Sequence, residues 1–207
     1  MNEGQKVLER RMGPAGSDNW HAMLDGAETI LREEGHAALT SRRVADQIGV
    51  KQRLVYYYFR TMDDLIIETF RRLSERELAR LANAAGSQLP LRQIWEVCVN
   101  TADARLISEF MALATRIDGL GKEVIHFIES SRAIQIEAIR KASSGSKADH
   151  DLPAEALAVL ATSVALALTR ERQLGVRSGH PEMHGLIDRF LEGLEPRYAA
   201  IPDAPKG

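Results

Sequence analysis

The sequence has little of what a secreted or membrane-spanning protein needs. Its 207 residues contain one cysteine, Cys98, so no internal disulfide can form. No N-terminal apolar stretch precedes a small-residue cleavage site. The longest apolar run, 156–168, contains Thr162 and Ser163 and falls short of the roughly 20 residues that cross a bilayer. We therefore expect a cytoplasmic protein without a transmembrane helix.

Sequence signatures of catalysis and metal binding are also missing. We find no Gly-x-Ser-x-Gly motif, no His-Glu-x-x-His motif and no Gly-rich phosphate loop. His180 and His184 are four residues apart, but Pro181 places His180 at or before a helix start, and no third ligand is evident. Cys98 has no Cys or His neighbour and is expected to be a small buried hydrophobe. The sequence thus predicts a protein that is not an enzyme and that needs no metal or cofactor. A helical enzyme with its site in the C-terminal domain is kept as an alternative function.

The spacing of prolines and apolar residues predicts an all-α protein. Seven prolines leave long proline-free spans, in which apolar residues recur at intervals of three and four. Ser17 or Asp18 is expected to cap the first helix, Gly35 to end it in a left-handed conformation, and Thr61 to cap the amide of Asp64. The predicted helices cover about 19–34, 41–48, 52–59, 61 onward, 91–117, 122–142, 154–176 and 183–197.

Charge and aromatic residues are concentrated in one segment. The whole chain has a net charge of −2, yet residues 40–62 contain five basic residues and only one acid, Asp46. The same segment holds the consecutive aromatics Tyr56, Tyr57, Tyr58 and Phe59. Gly49 separates two short helical patterns here, which predicts a helix-turn-helix. Its inner side would consist of Val44, Ala45, Ile48, Val50, Val55 and Phe59, with Arg42, Lys51, Gln52, Arg53, Tyr56 and Tyr57 outside.

The outer side chains have the chemistry that DNA recognition needs. Arginine can bond two acceptors on guanine, glutamine can bond two atoms on adenine, and lysine and tyrosine can hold phosphate oxygens. The run Leu-Thr-Ser-Arg-Arg-Val-Ala-Asp-Gln-Ile-Gly-Val at 39–50, then Val-Tyr-Tyr-Tyr-Phe-Arg at 55–60 and Asp64-Leu65, strongly resembles the TetR family of bacterial transcriptional regulators. The resemblance covers about residues 24–70. It implies three N-terminal DNA-binding helices and a larger helical domain that dimerises and holds a small effector, which weakens DNA binding.

The resemblance also implies roles for individual residues. Ser41 and Tyr57 resemble phosphate contacts, and Arg42, Gln52, Arg53 and Tyr56 resemble residues that read the groove. Leu54 stands where many members have a phosphate-contacting threonine, and Met62 stands where many have a lysine. We infer that part of the grip on the DNA backbone has moved to Lys51, Arg53 and Arg60. A protein-binding adaptor that retains the fold without DNA affinity is a further alternative.

The expected domain organisation follows from these assignments. A flexible arm at 1–16, whose Lys6, Arg10 and Arg11 reach the minor groove, precedes a DNA-binding domain at 17–62. A helical effector-binding and dimerisation domain at 63–199 and a flexible tail at 200–207 follow.

The resemblance implies a homodimer formed through about 154–176 and 183–197, acting as a repressor on a palindromic operator. An apolar or aromatic effector is expected, because no phosphate loop is present. His126 is expected to be a core histidine or a pocket residue. Bulky or polar residues that interrupt apolar faces give the candidate pocket: Trp95, Arg105, Phe110, Met111, Arg116, His126 and Phe127.

Overall fold

The computed structural model describes residues 13–100, 103–145 and 152–195, and these residues are helical with no strand among them. This confirms the predicted all-α fold. Within the same ranges, no helix is long and apolar enough to cross a membrane. The helices are α1 Asp18–Glu33, a short 3-10 helix His36–Ala38, α2 Ser41–Gln47, α3 Gln52–Tyr58, α4 Met62–Ala85, α5 Pro90–Val99, α6 Ala104–Leu113, α7 Leu120–Gly145, α8 Ala154–Gln173 and α9 His180–Leu194.

Two predicted helix starts are confirmed by hydrogen bonds. The Ser17 hydroxyl accepts from the amide of Trp20 at the start of α1. Thr61 and Asp64 bond reciprocally before α4, since each side chain accepts from the other residue's backbone amide at 3.0–3.1 Å. Gly35 has a φ of 81° as expected, but its ψ of 174° lies outside the left-handed helical region. The prediction for Gly35 was therefore wrong in ψ, because the chain turns into the 3-10 helix.

The predicted single helix over 91–117 was wrong. The structure contains α5, which ends at Val99, and α6, which begins at Ala104, and Asn100 and Asp103 belong to neither helix. Short polar side chains compete for backbone hydrogen bonds and favour helix ends over helix interiors, which explains the break. The last helix also begins at His180, three residues earlier than expected, with Pro181 in its first turn.

The described chain forms two compact units. The first contains residues up to Leu73 together with Leu106–Val124. Its core includes Phe70 and Phe110, whose ring centroids are 5.1 Å apart and whose side chains are fully buried. Arg72 donates to the buried Glu28 carboxylate at 2.8 Å. This unit contains the whole helix-turn-helix.

The second unit contains Ser74–Arg105 together with the chain from Ile125 onward. The Glu195 carboxylate accepts from the backbone amides of Leu91 and Arg92, the free amides of the first turn of α5. The buried Arg92 guanidinium donates to Glu192 at 2.6 Å, on α9. These contacts join α5 to α9. The predicted boundary between a DNA-binding domain that ends at residue 62 and an effector-binding domain that begins at residue 63 is a functional division, and it stays a prediction.

Candidate nucleic-acid interface and ligand cavity

The two short helices of the motif are held together by a small apolar core. Val44, Ala45, Val55 and Phe59 are almost completely buried, and the Val50 amide donates to the carbonyl of Ala45 at 2.9 Å. Helices α2 and α3 are connected through Gly49, whose φ is 71°. A side chain would strain this backbone, which is why glycine stands at the turn. Ile48 and Val50 are half-buried, so the predicted inner side of the motif is confirmed.

The opposite side of the motif presents polar and aromatic groups to solvent. Arg42, Lys51, Gln52, Arg53 and Arg60 are exposed. Within the aromatic run, Tyr57 is 39% exposed, whereas Tyr58 is 8% exposed. Tyr56 is half-buried. The predicted outer position is therefore confirmed for Tyr57, whereas Tyr56 lies partly inside and Tyr58 turns inward.

Three of the predicted DNA-contacting residues form a hydrogen-bonded chain. Gln52 donates through Nε2 to the Ser41 hydroxyl at 2.8 Å, and Ser41 donates to the Tyr56 hydroxyl at 3.0 Å. Ser41 is only 5% exposed. Its hydroxyl is therefore placed to orient Gln52 and Tyr56, and a direct phosphate contact by Ser41 would need these bonds to rearrange. Gln52 and Tyr56 keep hydrogen-bonding groups that Ser41 does not use.

Arg43 is set apart from the other cations of this segment by its partners. Its guanidinium donates to Glu34 at 2.6 Å and to the Gln47 side chain at 2.7 Å. The hydrogen bond with Glu34 raises the pKa of Arg43. Arg43 thus links α2 to the end of α1. Arg43 is one of the five basic residues of segment 40–62, but the carboxylate of Glu34 neutralises its charge.

The remaining cations are available for phosphate. In the described part of the chain, the side chains of Lys51, Arg53 and Arg60 have no ion-pair or hydrogen-bond partner. Arg42 approaches Asp46 only at 3.9 Å, with its side chain 83% exposed. Ion pairs this exposed contribute little. Four solvated positive charges therefore border the exposed side of α3, and the arm residues Lys6, Arg10 and Arg11 lie outside the described residues.

The second unit contains an apolar cavity of about 390 Å³ between α5, α7, α8 and α9. Its wall contains no carboxylate and no cationic side chain among the described residues. A volume and a lining of this kind are typical of small-molecule sites. Representative lining residues from the four helices are Ile94, Trp95, Ile139, Val164, Ile187 and Phe190.

Two groups provide what polarity the cavity has. Gln135 is 6% exposed, and its Oε1 accepts from the Thr162 hydroxyl at 3.0 Å. Its Nε2 lies 3.9 Å from the Cys98 sulfur. Burial raises the pKa of the Cys98 thiol to about 11. The thiol is therefore neutral near pH 7, and it is a weak nucleophile on the wall of the cavity.

Only Trp95 of the seven predicted pocket residues lines this cavity. Phe110 packs in the core of the first unit, and Met111 and Arg116 belong to that unit too. His126 is exposed on α7, so the expectation of a core histidine was wrong. His126 lies two residues after the buried Val124, and its neighbour Ile125 is exposed as well. Arg105 is exposed and Phe127 is half-buried, and neither lines the cavity.

Sequence reasoning missed most of the cavity wall, and one signal was available. Gln135 is a polar residue between Ile134 and Ile136 in α7, and a polar residue inside an apolar run requires a partner or a ligand. The other wall residues are ordinary aliphatic side chains. Their pattern does not distinguish a cavity wall from a filled core.

A smaller pocket of about 250 Å³ follows the cavity along α5, α8 and α9. Its basic side chains are Arg172, Arg177, His180 and His184. The two histidines have separate partners, since His180 contacts Glu171 at 3.0 Å and His184 meets the edge of Trp95 with ring centroids 6.4 Å apart. No cluster of His, Cys, Asp or Glu suited to a metal ion occurs among the described residues.

Large apolar side chains are exposed on one face of α8. Val159 and Leu166 are 42% and 57% exposed, and their seven-residue spacing puts them on the same side of the helix. On α9, Leu186 is 53% exposed. Exposed apolar surface of this kind is typical of a protein-protein interface.

Comparison with known families identifies the N-terminal helices. Residues 23–69 match the family model described as bacterial regulatory proteins, tetR family. This range begins in α1 and ends in α4, so it contains the complete helix-turn-helix. No curated protein matches the sequence.

Most of the chain shares the fold of several solved regulators. A TetR transcription regulator from Haloarcula marismortui superposes with a TM-score of 0.69 at 19% identity, over 84% of this chain and 96% of that one. A transcriptional regulator from Rhodococcus sp. gives a TM-score of 0.65 at 19% identity, over 84% and 94%. A chain from Saccharomonospora viridis, solved in complex with choline, gives 0.73 at 16% identity, over 83% and 94%.

Proposed function

We propose that this chain is a transcriptional regulator that binds a palindromic DNA operator as a homodimer. A small molecule is proposed to release it from the operator. Its residues 23–69 match the tetR family of bacterial regulatory proteins. The observation that carries the proposal is the exposed side of α3. There Gln52 and Tyr56, oriented by Ser41, stand between solvated cations. This arrangement combines groups that read base edges with groups that hold phosphates.

The exposed residues of the motif are proposed to have two roles, base reading in the major groove and contact with the phosphate backbone. Arg42, Gln52, Arg53 and Tyr56 are proposed to enter the major groove. Tyr57, Lys51 and Arg60 are proposed to contact the phosphate backbone. The half-buried Leu54 cannot make the phosphate contact of a threonine, and the exposed cations on both sides of it compensate for the lost contact.

Dimerisation supplies the second half of the operator contact. One short helix reads few base pairs, whereas two copies placed one helical turn of DNA apart, about 34 Å, read a palindrome. We assign the dimer interface to the exposed face of α8 that holds Val159 and Leu166, together with α9. Burying these side chains against a second copy removes their apolar surface from water.

The apolar cavity of the second unit is proposed as the effector site. Choline is the ligand in the Saccharomonospora viridis structure, and choline is a cation. The cavity of this chain has no carboxylate among its described lining residues that would pair with a cation. The effector of this chain is therefore expected to have an apolar body. Helices α4 and α7 each contribute residues to both units, which gives ligand binding a continuous backbone route to the DNA-binding helices.

The DNA-binding assignment is tested with a duplex operator obtained by selection and two variants, Arg42→Ala and Tyr56→Ala. Both should lose most operator affinity while their helical circular dichroism and melting temperatures stay close to wild type. Arg116→Ala is the matched control, because Arg116 is an exposed cation of the same unit outside the motif. Unchanged binding by both motif variants would refute the site.

A further inference from the structure

The apolar cavity and the basic pocket are lined by successive residues of the same three helices, α5, α8 and α9. On α8, Val164 lines the cavity, whereas Leu168 and Arg172 line the pocket one and two turns later. On α5 and α9, adjacent residues divide in the same way, with Cys98 and Met183 on the cavity and Val99 and His184 on the pocket. Val164 and Arg172 are eight residues apart, about 12 Å along a helix.

The pocket has an excess of positive charge. The side chain of Arg177 has no ion-pair or hydrogen-bond partner among the described residues, although its backbone carbonyl accepts from the amide of His180. Arg172 donates to the carbonyl of Val99 at 2.5 Å and to Asn100, and these contacts use only part of its five donors. The acid next to the pocket, Glu171, is occupied by His180. Glu182, in the first turn of α9, does not line the pocket.

We propose that the cavity and the pocket together form one groove that binds an amphipathic organic acid, with its hydrocarbon body in the apolar cavity and its carboxylate between Arg172 and Arg177. The inference rests on the proposed effector role of the cavity and specifies the chemical class of the effector. A hydrocarbon chain gains free energy from burial against the aliphatic wall. A carboxylate gains charge-assisted hydrogen bonds from the two guanidinium groups, of which Arg172 is held in place by its contacts with Val99 and Asn100.

The positions of the polar groups favour an acid over the alternatives. A neutral apolar ligand would leave Arg172 and Arg177 without an anionic partner, and an alkylammonium ion would be repelled by them. A small inorganic anion would leave the cavity of about 390 Å³ unfilled. The edge of Trp95 against His184 marks the boundary, since Trp95 lines the cavity and His184 the pocket.

The test uses three probes with the same hydrocarbon chain and different head groups: decanoate, methyl decanoate and decylammonium. Dissociation constants are measured by titration calorimetry on the full-length protein. Decanoate should bind at least about tenfold more tightly than methyl decanoate, the equivalent of one charge-assisted hydrogen bond partly exposed to solvent. Decylammonium should bind most weakly, and acetate should not bind measurably. Equal affinity for the acid and its ester, tighter binding of the ammonium ion, or no binding by decanoate would overturn the proposal.

Arg177→Gln locates the head group. This variant should lose most of the preference for decanoate over its ester while retaining the affinity for the ester. Lys141→Gln is the matched control on the same unit, because Lys141 is exposed on α7, outside the helices assigned to the dimer interface, and lines neither cavity nor pocket. A preference that survives Arg177→Gln unchanged would refute the assigned carboxylate position.

Binding to DNA is measured separately, so that the two proposals can fail independently. Decanoate that binds with the expected preference but leaves the operator complex intact supports the acid-binding groove and contradicts its role as the effector site. A chain that never binds DNA refutes the proposed function without affecting the calorimetric result.

Discussion

The partners of two adjacent arginines predict that only one of them contributes to DNA binding. Arg42 is solvated, with its nearest acid at 3.9 Å, whereas Arg43 is held by Glu34 at 2.6 Å. With Lys51, Arg53 and Arg60, Arg42 makes four available cations per protomer and eight per dimer. If each of the eight displaces one condensed counterion from the duplex, whether it enters the groove or contacts a phosphate, the logarithm of the association constant should fall with the logarithm of salt concentration with a slope of about −7.

Arg42→Gln removes two of these cations from the dimer, so the slope should become less steep by about 1.8. Arg43→Gln removes the same formal charge and should leave the slope unchanged. Fluorescence anisotropy on a labelled operator, titrated at several salt concentrations, measures both slopes. Equal changes in the two variants, or a change in Arg43→Gln alone, would refute the argument that pairing with Glu34 removes Arg43 from the DNA contact.

Other predictions concern the second unit. Glu195→Gln should lower the free energy of unfolding by about 1–3 kcal/mol in urea titrations, because one of two buried amides of α5 loses its acceptor; a change near zero would show that water replaces the carboxylate. Leu166→Glu should give a monomer in sedimentation equilibrium, whereas Ile125→Glu, equally exposed on α7, should remain a dimer; a dimer in both would refute the assigned interface. Cys98 should react slowly with iodoacetamide at about pH 8, which is near the pKa of an ordinary thiol. Burial raises the pKa of the Cys98 thiol to about 11, so the reactive thiolate forms only as the pH approaches that value. A rate at the lower pH equal to the rate in urea would contradict this.

The sequence predicted the motif well because its signals are local. The turn at Gly49, the cap at Thr61 and the inward side of α2 and α3 depend on residues within a few positions of one another. Such features follow from backbone geometry and amphipathic spacing. The break after Asn100 was missed because apolar spacing continues across it, although Asn100 and Asp103 favour helix ends.

The ligand cavity could not be predicted in the same way. Trp95 and Phe110 both interrupt apolar patterns as bulky side chains, yet one lines a cavity and the other fills a core. The difference depends on which helices pack against each residue. The pairing of Arg43 with Glu34 is similar, since nine residues separate them and only the fold brings the two charges together.

Selection of purified full-length protein against random duplex DNA at moderate salt, followed by sequencing of the retained duplexes, tests the central proposal most directly. An enriched palindrome with half-sites about one helical turn apart is expected, because two copies of α3 must enter the major groove on one side of the duplex. Retained sequences without a shared palindrome would contradict the proposal.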